Sequence, residues 1–282
     1  MVALTAALAQ TQLSRDLGDH FSSTLTSAGT TTTTTDTRLS NYDDDRFVNK
    51  FDTWVEIISG TDAGLERRVT SKTGAVLTHI AFPSGADNAA TYKVHRIATA
   101  AEKDDAITHV LNLLNGVILF KKAQAEITIV ADQFDYDVPS GFYRDQLRQV
   151  HMVSDGDTEI SHELFDWEPR VDSGGGNDIH FFSRLQAGTK IRVFGHQVVA
   201  IGDLTDGDGD ALILSARAAV FILNTLITQA PNDQIQRFTT MLTTMAALYQ
   251  ERLVRFRRTG IPFTLRVPGM SSGFTDRDFG IP

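Results

Sequence analysis

Catalytic and metal-binding chemistry needs particular side chains at particular spacings, and this chain offers eight histidines, many carboxylates and no cysteine. The lack of cysteine excludes disulfides, thiolate metal sites and thiol nucleophiles. His162 stands beside Glu163 in SHELFDW, but no second histidine follows four residues on. The zincin arrangement of two imidazoles on one helical face is therefore missing, and His162 reads as a strand surface residue. The stretch DGDGDA at 206–211 opens like a calcium loop. Ala211 stands where that loop needs glycine, and Arg217 where it needs a bidentate glutamate. The acidic turn reads instead as a helix cap, with Asp208 or Asp210 at the N-cap. Lys72-Thr73-Gly74 has the lettering of a β-lactamase element but no Ser-x-x-Lys or Ser-Asp-Asn companion, so it reads as a hairpin turn. SGGGN leads into a strand without the Gly-Lys-Ser/Thr of a phosphate loop, and no Gly-x-Ser-x-Gly elbow occurs. Carboxylates are plentiful, but their spacing does not show which face each other, and no glycosidase pattern stands out. The expectation is a protein without catalytic activity, cofactor or metal.

The densest charge feature is RLVRFRR, which holds Arg252, Arg255, Arg257 and Arg258 within seven residues. On a helix, Arg252 and Arg255 share a face. Basic residues there complement the helix dipole; the alternative is a basic rim that meets an acidic partner or phosphates.

The elements that would carry these residues follow from periodicity. The chain has 282 residues, 41% of them hydrophobic, enough for a real core, and a formal net charge of -9. That charge argues against gripping nucleic acid by bulk electrostatics. MVALTAALAQ lacks a positively charged start and reads as the first turns of a helix over 2–17, with Leu4, Leu8, Leu13 and Leu17 on one side and Gly18 as its stop. Six consecutive threonines at 30–35 are stiff and disfavour helix. They read as an extended linker, with an edge strand as the alternative, so 1–39 is a helix and a Thr-rich linker. The acidic run 43–45 reads as a solvated turn.

A small β-module of sandwich or barrel type is expected over 40–98. Trp54, Val55, Ile57 and Ile58 begin it, and SGTDAG and KTG supply turns. Val76, Thr78, Ile80 and Phe82 alternate on one face of a strand; Tyr92 and Val94 alternate on the next, with Arg96 a further candidate. A helix is predicted over 101–122, with apolar positions 107, 110, 111, 114, 117 and 118, leading acids and two closing lysines. A second β region spans 125–203.

A helix hairpin spans 208–258. Its first helix uses Leu212, Ala216, Val220, Leu223 and Ile227; its second uses Ile235, Phe238, Leu242, Met245 and Tyr249, and Pro231 separates them. The apolar window 211–230 contains Arg217. A charge at that depth costs about 2.5–3.5 kcal/mol on insertion, which favours a buried helix over a membrane span. The segment 261–282 reads as an extended arm, with Phe263, Leu265, Val267, Phe274 and Phe279 available to dock. The fold class is α+β: a helical core interrupted by a β-sandwich or barrel-like insertion, an additional N-terminal β-module and a C-terminal arm.

Three segments together resemble the head–tail adaptor proteins of tailed bacteriophages, over most of the chain from about residue 40. FDYDVPSGFYRDQLRQVHMV looks like that family's aromatic-x-x-Pro segment entering a strand. AGTKIRVFGHQVVAIGDLTDGDGDALILSARAAVFILNTLI looks like its strand, acidic turn and alanine-rich helix. VEIISGTDAGLERRVTS, AFPSG and YKVHRI are similar to a small β-module of phage virion proteins. The resemblance implies a homo-oligomeric ring, twelvefold to match the portal, at the head–tail junction of a virion assembled in the host cytoplasm. Its partners would be the portal protein, through the arm and the basic rim, and a downstream neck or tail-terminator protein. DNA would pass without sequence-specific binding, and no membrane is involved. The alternative is a neck, tail or baseplate component whose β-module binds carbohydrate, with Trp54, Trp167 and Tyr92 as stacking residues.

Overall fold

The computed structural model describes residues 2–48, 53–85, 87–115, 117–119, 121–140, 142–153, 160–171 and 177–257. The chain forms two compact units: Met1–Asn112 with Leu204–Phe256, and, between them in sequence, Leu113–Asp203. Antiparallel sheets and helices occur together, so the fold is mixed α+β.

In the first unit, α1 (Ala6–Asp16) begins at Thr5, whose hydroxyl accepts the Leu8 N–H, and buries Ala9, Gln10, Leu13 and Ser14. Gly18, at φ +68, turns the chain out of it; this left-handed position is one a side chain rarely adopts. Strands β1 (Ser22–Thr24), β2 (Ser27–Thr30) and β3 (Thr33–Thr35) follow, then a short helix α2 (Asp45–Val48). After them come β4 (Trp54–Ile57), β5 (Glu66–Thr73), β6 (Val76–His79) and β7 (Thr91–His95). All seven strands form one sheet in the order β1-β7-β4-β5-β6-β3-β2.

The threonine run is therefore part of the sheet and not a linker. Thr33, Thr34 and Thr35 pair with Thr78, Leu77 and Val76, and the Thr34 side chain is buried. β-Branched residues suit a pleated, half-buried surface. The connecting turn is held by its own hydroxyls, with Thr30 Oγ1 and Thr33 Oγ1 2.7 Å apart. The inward face of β6 is also the opposite of the predicted one. Leu77 and His79 are buried, and Ile80 is exposed. Register decides this: Leu77 lies opposite both Thr34 and Lys72, which are buried too. The predicted hairpin turn falls at Gly74, φ +53, and Ala75, while Lys72 and Thr73 are the last residues of β5. Lys72 Nζ reaches Asp44 Oδ1 at 2.7 Å, so the acidic run is tied down at one residue. The core on this side of the sheet includes Phe21, Leu39, Phe47, Val55, Ile57, Leu77 and Tyr92. Each such side chain contributes about 1.5–3 kcal/mol by leaving water.

Helix α3 (Ala100–Leu114) buries Ile107, Val110 and Leu114 as predicted. It ends well before residue 122, and Val117 is exposed. The predicted closing lysines, Lys121 and Lys122, open a strand instead. Asn115 stops the pattern by turning its amide to another backbone: it donates to the Val199 carbonyl at 3.1 Å and accepts the Val199 N–H at 2.9 Å. The hairpin helices are α4 (Gly209–Gln229), with Asp208 at its N-cap, and α5 (Asn232–Arg257). By length and composition α4 could cross a membrane. Here Ala211, Leu214, Ala216, Ala218, Ala219 and Leu223 are buried in the unit, and the helix packs against α1.

The second unit holds β8 (Lys121–Thr128), β9 (Asp135–Asp137), β10 (Phe142–Val153), β11 (Ile160–Leu164), β12 (Trp167–Val171), β13 (Asn177–Phe181) and β14 (Lys190–Gln197). They form a four-stranded sheet, β11-β10-β14-β8, and a three-stranded sheet, β12-β13-β9. Tyr136, Ile179 and Phe181 of the second sheet share a core with Val150, Ile191 and Val193 of the first. This is the expected sandwich-like insertion, with side chains alternating in and out along β14.

Candidate functional site

The chemically richest place among the described residues lies where the seven-stranded sheet meets α1 and α3. It begins with an electrostatic problem. Glu56 on β4 and Glu66 on β5 are cross-strand partners, and like charges directly opposite repel. Burial, and the neighbouring Glu56 charge more weakly, push the Glu66 carboxyl above the ordinary range. Two groups answer this. Glu66 accepts the Ala100 N–H through both oxygens, at 3.1 and 3.2 Å. That N–H belongs to the first turn of α3, where backbone donors have no intrahelical partner and the helix dipole is positive. The turn itself is closed by a capping box: Thr99 Oγ1 accepts the Glu102 N–H at 3.1 Å and Glu102 Oε2 accepts the Thr99 N–H at 2.8 Å.

The second group is His95, at the end of β7, whose Nε2 is 2.9 Å from Glu56 Oε2. Its Nδ1 is 2.9 Å from Lys103 Nζ. A lysine ammonium only donates, so Nδ1 is the acceptor and Nε2 carries the hydrogen that Glu56 receives. Burial alone would raise Glu56, but this hydrogen bond and the charges of Lys93 and Lys103 help outweigh it and hold the carboxyl low.

Lys103 uses all three of its donors: on His95, on Ser14 Oγ at 3.0 Å and on Asp19 Oδ2 at 2.7 Å. Burial pushes its ammonium below the ordinary lysine range, against the pull of Asp19. Asp19 is positioned by the Gly18 turn, and its Oδ1 accepts the Arg96 backbone N–H at 2.6 Å. Lys103 and Asp19 are both 0% exposed in their side chains. Carboxylate, ammonium, imidazole and carboxylate thus form one continuous chain inside the unit.

Residues singled out from the sequence fall elsewhere. Arg252 is not on an open rim: Nη1 and Nη2 bond Asp16 at 2.7 and 2.9 Å, and Nη1 also bonds the Leu212 carbonyl. It fastens α5 to α1 and α4. Arg255 is exposed, with its guanidinium 5.6 Å from the Phe256 ring. Arg257 ends α5; its side chain, Arg258 and the arm residues Phe263, Leu265, Val267, Phe274 and Phe279 lie outside the described residues. Tyr92 is buried and donates to Asp36 Oδ2 at 2.8 Å, which removes it as a sugar-stacking residue. Trp54 and Trp167 are half-buried, and Trp167 Nε1 donates to the Leu164 carbonyl. The acidic turn at 206–211 leads into α4, and no cluster of three potential metal ligands occurs among the described residues.

Sequence reasoning missed Asp19, Glu56, Glu66, His95 and Lys103. One signal was present: Lys103 falls on the same α3 stripe as Ile107, Val110 and Leu114, where a lysine needs a partner. No protein-family model matches the sequence, and none of the curated proteins matches it.

Proposed function

We propose that the chain is a structural virion protein of a tailed bacteriophage, a ring subunit of the neck that joins portal to tail and lets DNA pass. The observation that carries this reading is an interrupted unit, in which helices on either side of the insertion belong together with the seven-stranded sheet. The first unit is completed only when the chain returns at Leu204, after Leu113–Asp203 has formed a compact β unit of its own. That is the element order on which the resemblance rests.

The hairpin adds support. Thr239, Thr240, Thr243 and Thr244 are exposed on α5, and their hydroxyls donate back to the carbonyls of Ile235, Gln236, Thr239 and Thr240. Their donors are so used, which leaves only the hydroxyl oxygens to accept from water. From Phe238 to Gln250 the sequence carries no charge. Charge depletion marks the centre of protein interfaces, so this face suits a neighbouring copy in a head-to-tail ring. The net charge of -9 keeps such a ring from trapping the DNA it passes.

Native mass spectrometry of the chain with its cognate portal ring tests the reading. The expected result is a discrete complex with one copy per portal subunit, lost on deletion of 261–282. A chain that stays monomeric beside an intact portal ring overturns it.

A further inference from the structure

We propose that Lys103 and Asp19 form an amide within the folded chain, Nζ to Cγ, with His95 as the base and one water as the only by-product. The cluster holds each part such a condensation needs. The nucleophile and the carboxyl group touch, with Lys103 Nζ 2.7 Å from Asp19 Oδ2. The base is in contact, with His95 Nδ1 2.9 Å from the same Nζ. Glu56 holds the far nitrogen of that ring at 2.9 Å, so it positions the imidazole and steadies the imidazolium. A donor also waits on the other oxygen: the Arg96 backbone N–H lies 2.6 Å from Asp19 Oδ1. That is where negative charge develops when the carboxyl carbon becomes tetrahedral.

The step balances without any further reactant. The Lys103 ammonium gives a proton to His95 Nδ1, and the freed lone pair forms the Nζ–Cγ bond. The Cγ–Oδ2 bond breaks as Oδ2 takes up two protons, one from Nζ directly and one back from His95, and leaves as water. The amide nitrogen keeps the last hydrogen, and Oδ1 becomes the amide carbonyl. One positive and one negative charge vanish together. Condensation of an amine with a carboxylate is unfavourable in dilute water. Here the side chains of Lys103 and Asp19 are 0% exposed and that of His95 is 2% exposed. Fixed neighbours in a site that excludes water reach effective concentrations that solution cannot. The bond would join residues 84 apart in sequence, giving a chain without cysteine a covalent tie between the turn after α1 and α3. The inference rests on this cluster alone and does not depend on the neck reading.

The test is the intact mass of the purified, denatured full chain, followed by tryptic digestion. The expected mass is that of the sequence less one water, with a branched peptide joining 16–38 to 97–121 through uncleaved Lys103. Asp19→Asn should reach the same final mass as the wild type, since ammonia then leaves in place of water. Lys103→Arg should keep its full linear mass. His95→Gln should slow the loss of water by about a hundredfold or more; a merely structural histidine would leave that rate unchanged. A wild-type chain at full linear mass, yielding 16–38 and 104–121 as separate peptides, overturns the proposal.

Discussion

Lys103 and Asp19 in the first, mixed unit meet at 2.7 Å with both side chains 0% exposed, whereas Arg184 and Asp132 in the inserted β unit meet at 2.8 Å with side chains 72% and 71% exposed. The charges and the separations are nearly the same, yet the consequences differ. In water the attraction is weak, is screened by salt, and is offset by the entropy of holding two side chains together. Inside the protein the attraction is larger, but so is the cost of removing both charges from water. The buried pair persists because its own polar atoms are satisfied: Ser14 and His95 complete Lys103, and the Arg96 backbone N–H completes Asp19. The pair of Arg192 and Glu126 across β14 and β8 of the β unit is intermediate, with side chains 16% and 37% exposed. In this chain, then, burial and completeness decide which ion pairs matter, and distance does not.

The strongest way to break the comparison is Lys103→Met. It removes the tie to Asp19 in either form, ionic or covalent, and leaves a buried carboxylate with only the Arg96 backbone N–H and, at 3.9 Å, the Arg96 guanidinium. The expected loss is about 3–5 kcal/mol, read as a lower urea midpoint of the purified chain. A variant as stable as the wild type would show that the cluster contributes nothing to the fold.

Arg252→Ala comes next. Asp16, only 6% exposed in its side chain, loses both guanidinium bonds. Hydrogen bonds to charged groups contribute about 1.5–3 kcal/mol each; with Ser215 still bonded to Asp16, a loss of about 2–3 kcal/mol is expected. Arg255→Ala, on the exposed side of the same helix, should leave the urea midpoint where it was. Equal effects at the two arginines would return Arg252 to the basic rim.

Tyr92 sharpens the comparison through pH. Burial first, then the hydrogen bond to Asp36 and its charge, push the phenol well above its ordinary value of 10.0. A group raised in the folded state stabilises it fully below the unfolded value and loses that contribution as pH rises beyond it. Stability should therefore fall above about pH 10, by up to about 1.4 kcal/mol per pH unit for this one proton. Tyr92→Phe should lower stability near pH 8 by about 1.5–2 kcal/mol and flatten the alkaline slope by one proton in a pH series of urea melts. An unchanged slope would assign the alkaline loss to other groups.

Local pattern made much of the fold legible. The α4–α5 hairpin, its acidic start and the inserted sheets follow from apolar period and from Gly, Pro and Asp punctuation. What failed depended on partners far along the chain. Stiff threonines suit a linker or a strand equally, and only the pairing of Thr33, Thr34 and Thr35 with Thr78, Leu77 and Val76 decides. Residues 117 and 118 continued the apolar period of α3, but Asn115 turns to the backbone of Val199. The buried cluster was the least legible part: Asp19 and Lys103 lie 84 residues apart, and Asp16 and Arg252 lie 236 apart.

Arg184→Ala probes the weak end of the comparison. The pair it breaks lies at the surface of the β unit, so neither charge is stranded when its partner goes; water replaces the lost contact at once. The expected change is below about 0.5 kcal/mol at moderate salt, and raising the salt should shrink it further because the interaction is already screened. A loss as large as that of Lys103→Met, insensitive to salt, would mean that separation governs these pairs after all and that the contrast in burial is incidental.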